Sequence, residues 1–266
     1  MTERASEDLS RVEWNFTAGP DLLDTTGNGL RLEPGSDSGP VEWVPDEDVG
    51  GALRFDHGRY LSIPAARVGP LDAGRRGDRV SVIALLRRRS PTTGFIAGMW
   101  QEDDNDPRRQ YGLFVSLPVY GGDQRVCGHV SADGRPSEGL PYSRDYSASK
   151  RAVGLERWHV VAFSYDGAQV TSYLDGVSDD HVDYTEPGPP LGMGWRYRKN
   201  PYEYRSGLNR GAASDFTVGS VRLTSGMANH FTGDLARLRV TPAALSPAQL
   251  RFTSDRWLAS TVRSSG

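Results

Sequence analysis

Length, composition and charge set the first limits on this chain of 266 residues. Its 31 basic and 34 acidic residues give a formal net charge of −3, so the chain as a whole has no bulk attraction for nucleic acid or an anionic membrane. A single cysteine, Cys127, excludes an internal disulfide and a multi-cysteine zinc site.

The N-terminal segment is charged and polar as far as Arg11, and it lacks the apolar core that a secretion signal needs. No run of ~18 apolar residues occurs anywhere in the sequence, which argues against a membrane-spanning helix. We expect a polar tail at 1–10, a single domain at 11–258 and a second tail at 259–266. We also expect a cytoplasmic location, or an extracellular one if the sequence is a mature form or is exported unconventionally.

Short apolar runs give the first strand predictions. Residues 80–86 end at three consecutive arginines, and residues 111–117 end at Pro118. Residues 231–240 form a similar run late in the chain. Runs of this length that are rich in β-branched and aromatic residues and bounded by turn signals predict strands.

The clearest hairpin joins 158–165 to 169–174. One Asp-Gly pair, at 166–167, stands between the two runs, and a second, at 175–176, follows them. Each pair falls where a tight turn needs the positive φ that glycine adopts at little cost. The spacing therefore predicts two adjacent antiparallel strands.

One short helix is predicted near the C-terminus. Ser246 supplies an N-cap, Pro247 occupies the first helical position, and the segment continues through Leu250 toward Trp257. The whole chain contains 31 glycines and 17 prolines, which make turns frequent. Many short strands separated by turns predict an all-β fold, a two-sheet antiparallel jelly-roll sandwich with one short C-terminal helix.

Ordered motifs add a family resemblance to this prediction. They are Asp-Thr-Thr-Gly-Asn-Gly at 24–29, Ala-Leu-Arg-Phe-Asp at 52–56, Tyr-Leu-Ser-Ile-Pro at 60–64, the hairpin at 158–176 and the run at 231–246. In this order, over roughly 12–252, they resemble the laminin-G-like, concanavalin A-like domains. The resemblance implies the sandwich fold but no single activity, because that fold serves lectins, carbohydrate-binding modules, glycosidases, lyases and adhesins.

The resemblance also bears on calcium. Relatives carry an aspartate two residues after the position of Asp234, and it often helps to hold Ca²⁺; this chain has Ala236 there. We therefore expect no cofactor, with a Ca²⁺ site through Asp24 and Asp234 as the alternative. Without a cation, Asp24 is expected to cap an Asx-turn and Asp234 to be exposed.

Catalytic and zinc motifs are missing from the sequence. The strand-borne Glu-x-Asp-x-Glu or Glu-x-Asp-x-x-Glu of glycosidases with this fold does not occur, and the acidic runs at 46–48 and 102–104 are expected to be solvated turns. No two of the five histidines have metal-binding i, i+2 or i, i+4 spacing. His129 is expected either to make a structural hydrogen bond or to serve a site.

Two long stretches, 121–155 and 187–215, are predicted to be loops, and loops longer than ~12–15 residues are usually lids or binding loops. With the segment 100–111 they are rich in aromatic residues and arginine, which stack on sugars and hold anionic groups. The predicted ligand-binding residues, expected to share one groove, are Trp100, Arg108, Arg109, Tyr111, His129, Tyr142, Arg196, Tyr197 and Tyr204. The alternative is that these residues only pack the loops onto the sandwich.

Three functions follow from these patterns. The first is a non-catalytic module that binds a carbohydrate or an acidic small molecule. The second is a glycan lyase or hydrolase, or a biosynthetic enzyme, in the same groove; a lyase would use Arg109 or Arg196 to neutralise the substrate carboxylate and Tyr111 or His129 as base. The third is a protein-interaction or assembly subunit, because the same residue types form protein-binding hot spots. No nucleic-acid or membrane partner is expected.

Overall fold

The computed structural model describes residues 11–136, 142–180 and 184–260. Its strands in chain order are β1 (Val12–Asn15), β2 (Glu33–Pro34), β3 (Glu42–Asp46), β4 (Gly50–Phe55), β5 (Leu61–Ile63), β6 (Val80–Arg88), β7 (Gly94–Met99), β8 (Tyr111–Leu117), β9 (Gly122–Val130), β10 (Tyr146–Ala152), β11 (Trp158–Tyr165), β12 (Gln169–Leu174), β13 (Tyr184–Thr185), β14 (Arg196–Tyr197), β15 (Tyr202–Glu203), β16 (Phe216–Val218), β17 (Val221–Leu223), β18 (Gly226–Ala228) and β19 (Gly233–Thr241). Three short 3₁₀ turns cover Ala65–Arg67, Gly69–Leu71 and Ala73–Arg76, and one α-helix, α1, spans Pro247–Ala259.

Two antiparallel sheets contain most of these strands. The first has the order β15-β12-β11-β6-β19-β4-β3, with β1 also paired to β19, and the second has the order β10-β9-β8-β7-β16-β5-β2. The short pairs β13–β14 and β17–β18 lie outside both sheets. The predicted all-β fold, an antiparallel two-sheet sandwich with a short C-terminal helix, is confirmed.

Successive side chains on a strand point to opposite faces of its sheet. The apolar side chains therefore form three layers: a core between the sheets, a cluster beneath α1 and a cluster on the outer face of the second sheet. On β6, Val82 and Leu86 belong to the core between the sheets, whereas Ile83 and Leu85 belong to the cluster beneath α1. On β8, Leu113 joins the central core, and its neighbours of opposite parity face the outside of the second sheet. That outer face carries an aromatic cluster of its own, made of Phe95, Trp100, Phe114, Tyr120 and Tyr146.

The helix begins where the sequence predicts. The Ser246 hydroxyl accepts a hydrogen bond from the Gln249 backbone N–H at 3.3 Å, and the Gln249 side chain accepts one from the Ser246 N–H at 2.8 Å. This reciprocal capping box satisfies two donors that have no partner within the helix. Leu250 and Trp257 bury the helix against the first sheet. Within the described part of the chain, no helix is long and apolar enough to cross a bilayer.

The predicted hairpin is also confirmed. Strands β11 and β12 pair from Val161 opposite Leu174 to Tyr165 opposite Val170. Gly167 lies in the turn between them with φ +94°, which is the left-handed region that favours glycine. The Asp-Gly pair at 175–176 has positive φ at both residues, as a two-residue turn of type I′ requires.

The prediction of a loop at 121–155 is wrong, because β9 and β10 occupy much of it. Polar residues conceal these strands in the sequence. The buried Ser147 hydroxyl lies 2.7 Å from that of Ser172, and the Asn200 amide bonds to the Ser172 backbone. The second stretch, 187–215, holds only β14 and β15 and is otherwise irregular, as predicted.

Candidate functional site

A cavity of about 710 Å³ lies on the outer face of the second sheet; we call it the sheet cavity. Its floor is formed by Phe114 on β8, His129 on β9 and Tyr146 on β10. His129 lies opposite Tyr146 on one side and Gly112 on the other, so these positions share a face. A Cβ at Gly112 would come within 2.8 Å of the Phe114 ring, so glycine lets the floor aromatics pack closely.

The walls of the sheet cavity include residues from several connecting segments. Glu102 and Arg109 lie between β7 and β8, and Tyr142 and Ser143 precede β10. Leu223 and its neighbours in the β17–β18 region, and Pro118 and Val119 between β8 and β9, also line the cavity. The Tyr142 side chain is 59% exposed. Tyr142 is therefore an exposed wall residue above the buried aromatic floor.

An ion pair between buried Arg109 and half-buried Glu102 lies in the wall of the sheet cavity. The Arg109 guanidinium lies 3.1 Å from Glu102 and 5.5 Å from the centre of the Trp100 ring. The indole N–H of Trp100 donates to Glu102 at 3.0 Å. Burial lowers the pKa of Arg109, although the adjacent Glu102 opposes this shift. A guanidinium beside a carboxylate offers donors and acceptors together, which is the pattern that neighbouring sugar hydroxyls need.

His129 is held in its neutral form. Burial lowers its pKa well below the ordinary value, and the charges of Arg109 and Lys199 act in the same direction. Its Nε2 lies 3.2 Å from the Ser143 hydroxyl, which donates to Asp145 at 3.1 Å. Because a carboxylate only accepts, Ser143 gives its proton to Asp145 and accepts from His129. The serine is therefore not set up as a nucleophile with His129 as its base.

A second concavity, of about 480 Å³, contains two of the other predicted residues, Arg196 and Tyr197. We call it the edge cleft, because Tyr202 on the edge strand β15 also lines it. Ser143 and Tyr146 line the sheet cavity, whereas Arg144 between them lines the edge cleft. The structure therefore forms two separate concavities here and not the single groove predicted for the whole set.

Lys199, which the sequence analysis did not single out, is buried between these two sites. Its Nζ lies 3.2 Å from the centre of the Tyr146 ring and 5.4 Å from that of Tyr202, and it donates to the Arg144 carbonyl at 3.3 Å. Burial lowers its pKa well below the ordinary value. One buried amine thus supports a floor residue of the sheet cavity and a wall residue of the edge cleft.

Two predicted ligand-binding residues are buried and line neither the sheet cavity nor the edge cleft. Tyr111 is fully buried in the central core, and its hydroxyl donates to the Leu71 carbonyl at 2.8 Å. It cannot serve as a base in either site. Trp100 is also buried, with its ring centre 4.4 Å from that of His129, so it supports the sheet cavity from below.

Two others make structural contacts. The Tyr204 ring lies 6.1 Å from that of Tyr165, and its hydroxyl accepts from the Ala132 backbone N–H at 2.8 Å. Arg108 pairs with Asp106 and donates to a backbone carbonyl at 3.1 Å. Of the predicted set, the sheet cavity thus brings together Arg109, His129 and Tyr142 as lining residues.

The expectation that Asp234 is exposed is wrong. Its side chain is fully buried on β19 and accepts from Arg54 at 2.9 Å, from Arg87 at 2.8 Å and from Arg89 at 3.0 Å. Burial alone would raise its pKa, but these hydrogen bonds lower it below the ordinary value. Three guanidinium groups around one carboxylate leave a surplus of positive charge, which does not fit a Ca²⁺ ligand.

Asp24 caps a turn, as the alternative to calcium binding predicts. Its carboxylate accepts from the backbone N–H groups of Thr26 at 3.0 Å, Asn28 at 3.1 Å and Leu30 at 2.7 Å. Burial would raise its pKa, and the hydrogen bonds outweigh that effect and lower it. No group of three or more His, Cys, Asp or Glu side chains suited to a metal ion occurs among the described residues.

The acidic runs are not simple solvated turns. Asp46 pairs with Arg87 at 2.7 Å, and Glu102 pairs with Arg109 in the sheet cavity. Sequence reasoning also missed Phe114 as part of the cavity floor. Strand parity contained that signal, since Phe114 alternates with the inward-facing Leu113.

No protein-family model and no curated protein sequence matches this chain. Solved structures do resemble it. Domain 4 of AbnA, a GH43 extracellular arabinanase from Geobacillus stearothermophilus in complex with arabinotriose, gives a TM-score of 0.57 at 17% identity over 91% of this chain and 97% of that domain.

Two larger proteins contain a similar unit. Botulinum neurotoxin type C, in a structure on its dependence on two ganglioside molecules for cell entry, gives a TM-score of 0.56 at 8% identity over 96% of this chain and 53% of that one. A Trypanosoma rangeli sialidase mutant with trans-sialidase activity gives 0.53 at 15% identity over 93% of this chain and 33% of that one. At these identities the likeness establishes the β-sandwich fold and nothing finer.

Proposed function

We propose that this chain is a non-catalytic recognition module of the concanavalin A-like type, and that it binds a carbohydrate in the sheet cavity. The observation that carries the proposal is the combination of an aromatic floor with the Arg109–Glu102 pair in one concavity of about 710 Å³. Small-ligand sites commonly have volumes of ~300–1,000 Å³, apolar walls and a few fixed polar groups. The arabinotriose complex of the arabinanase domain supports the ligand class.

Recognition is favoured over catalysis by the placement of the titratable groups. Tyr111 is buried away from both sites. The Ser143 hydroxyl donates to Asp145 and accepts from His129, so His129 does not act as a base toward this serine. The protein-interaction alternative has weaker support, because the aromatic and polar groups line a concavity and do not form a flat exposed apolar patch.

The test is a titration with arabinotriose and a neutral glycan array, followed by calorimetry on the best ligand. Tyr142→Ala should lower its affinity about tenfold to a hundredfold, because losing one stacking aromatic costs on the order of 1–3 kcal/mol. Phe252→Ala is the matched control, since that ring is 62% exposed and lies on α1. Affinity unchanged by Tyr142→Ala, or product formation from the bound glycan, would contradict the proposal.

A further inference from the structure

Trp195 and Tyr197 form an aromatic platform in the lining of the edge cleft. The Arg144 guanidinium lies 4.2 Å from the centre of the Trp195 ring and 5.4 Å from that of Tyr197. Arg144 is held in turn by the buried carboxylate of Glu186 at 3.3 Å, which also accepts from the Met193 backbone N–H at 3.0 Å. The arginine and the indole are therefore positioned before any ligand arrives, which reduces the ordering cost of binding.

The platform presents apolar surface to solvent. Trp195 is 51% exposed, although Arg144 covers part of its ring. It is the exposed member of the six tryptophans, all of which lie in the described residues. An exposed indole in a concavity is a surface on which the C–H face of a sugar ring stacks.

The charge of the edge cleft indicates the kind of sugar. Three arginines, at positions 144, 196 and 198, line it, and the carboxylate in its lining is that of Glu203. Glu203 is itself paired with Arg205 at 2.6 Å. Guanidinium groups beside an aromatic face bind carboxylate or sulfate groups through charge-assisted hydrogen bonds.

From these observations we propose that the edge cleft is a second saccharide site, distinct from the sheet cavity, and that it binds an acidic sugar against Trp195. Arg198 lies at this site with its side chain 52% exposed and a distant contact of 3.9 Å to Asp180. It is therefore accessible to an anionic group. The proposal does not depend on the sheet cavity, because the two concavities share no lining residue.

Tryptophan fluorescence tests the proposal directly. Sialyllactose supplies a carboxylate, a heparin-derived disaccharide supplies sulfates, and lactose is the neutral comparison. At least one acidic sugar should change the emission saturably and bind more weakly at high ionic strength, because salt screens exposed charges. Lactose should bind at least tenfold more weakly. No saturable binding of either acidic sugar, or equal binding of lactose, would overturn the proposal.

Variants then locate the bound sugar by calorimetry. Trp195→Ala and Arg198→Gln should each lower the affinity at least tenfold, whereas Trp195→Phe should abolish the emission change and retain binding. Phe252→Ala and Tyr142→Ala should leave the affinity unchanged, and unaltered melting temperatures confirm that the variants are folded. A loss confined to Tyr142→Ala would place the sugar in the sheet cavity and overturn the second site without affecting the first proposal.

Discussion

Asp234 is a fully buried carboxylate that holds a cluster of three arginines together. Its carboxylate faces Arg54, Arg87 and Arg89, so Asp234→Asn removes this counter-charge from all three and leaves only Arg87 with a second carboxylate, that of Asp46 at 2.7 Å. We expect a loss of roughly 1–3 kcal/mol in the free energy of unfolding, because the buried carboxylate is removed while the partly exposed arginines keep some contact with solvent. Urea denaturation measures this change. In Asp21→Asn, where the side chain is 72% exposed, the same measurement should show almost no loss.

His129 should make stability depend on pH. Its pKa is lowered by burial in the folded protein, whereas in the unfolded chain it is about 6.5. Its contribution to stability is therefore complete above about pH 6.5 and declines as the pH falls, by up to ~1.4 kcal/mol per pH unit. Denaturation of the wild type and His129→Phe, from about pH 7.5 to about pH 5, measures the difference. Parallel pH profiles would contradict this assignment.

At the scale of elements, the β11–β12 hairpin depends on one glycine. Gly167 has φ +94°, and a Cβ there would meet only the Asp78 carbonyl, at 3.8 Å. Gly167→Val should thus cost roughly 1–3 kcal/mol through backbone strain and not through a clash. Gly188→Val is the matched control, because that position is equally open and has no positive φ. Equal melting temperatures for the two variants would contradict the turn assignment.

The sequence could predict an element when its local signals were strong. Strands β11 and β12 have apolar runs and an Asp-Gly turn, and α1 has a serine cap followed by proline, so all three are where they were expected. Strands β9 and β10 could not be found this way, because serine and glycine fill positions where apolar residues would show the period. Their burial is stabilised by hydrogen bonds such as Ser147–Ser172, which only the fold brings together.

The sequence could predict which residue types line the candidate site, but it could not predict how these residues are divided between two concavities. Loops rich in arginine and aromatic residues do supply Arg109 and Tyr142 to the sheet cavity. The prediction for Tyr111 was wrong because strand alternation was not applied to it. Tyr111 is two residues before the inward-facing Leu113 on β8, so both side chains point into the central core. The separation of Arg196 into another concavity depends on the loop path between β13 and β15, which no local pattern encodes.

For the whole molecule, we predict that stability is independent of calcium. The carboxylates of Asp24 and Asp234 are engaged by backbone N–H groups and arginines respectively. A resident ion would stabilise the fold by RT ln(1 + [L]/Kd), so its removal would lower the melting temperature. Adding a chelator should leave the melting temperature unchanged in a thermal melt. A drop of several degrees would show a cation site elsewhere.

Cys127 allows transient opening of the second sheet to be measured by chemical labelling. Cys127 lies on β9, fully buried in the outer aromatic cluster, and burial raises its pKa to about 12. In alkylation the thiolate attacks the reagent. In the closed sandwich the reagent cannot reach Cys127, and its thiol stays protonated. Iodoacetamide should therefore modify Cys127 only when β9 separates from its neighbours. Mass spectrometry of the labelling time course then reports how often this sheet opens under native conditions, and no engineered cysteine is needed.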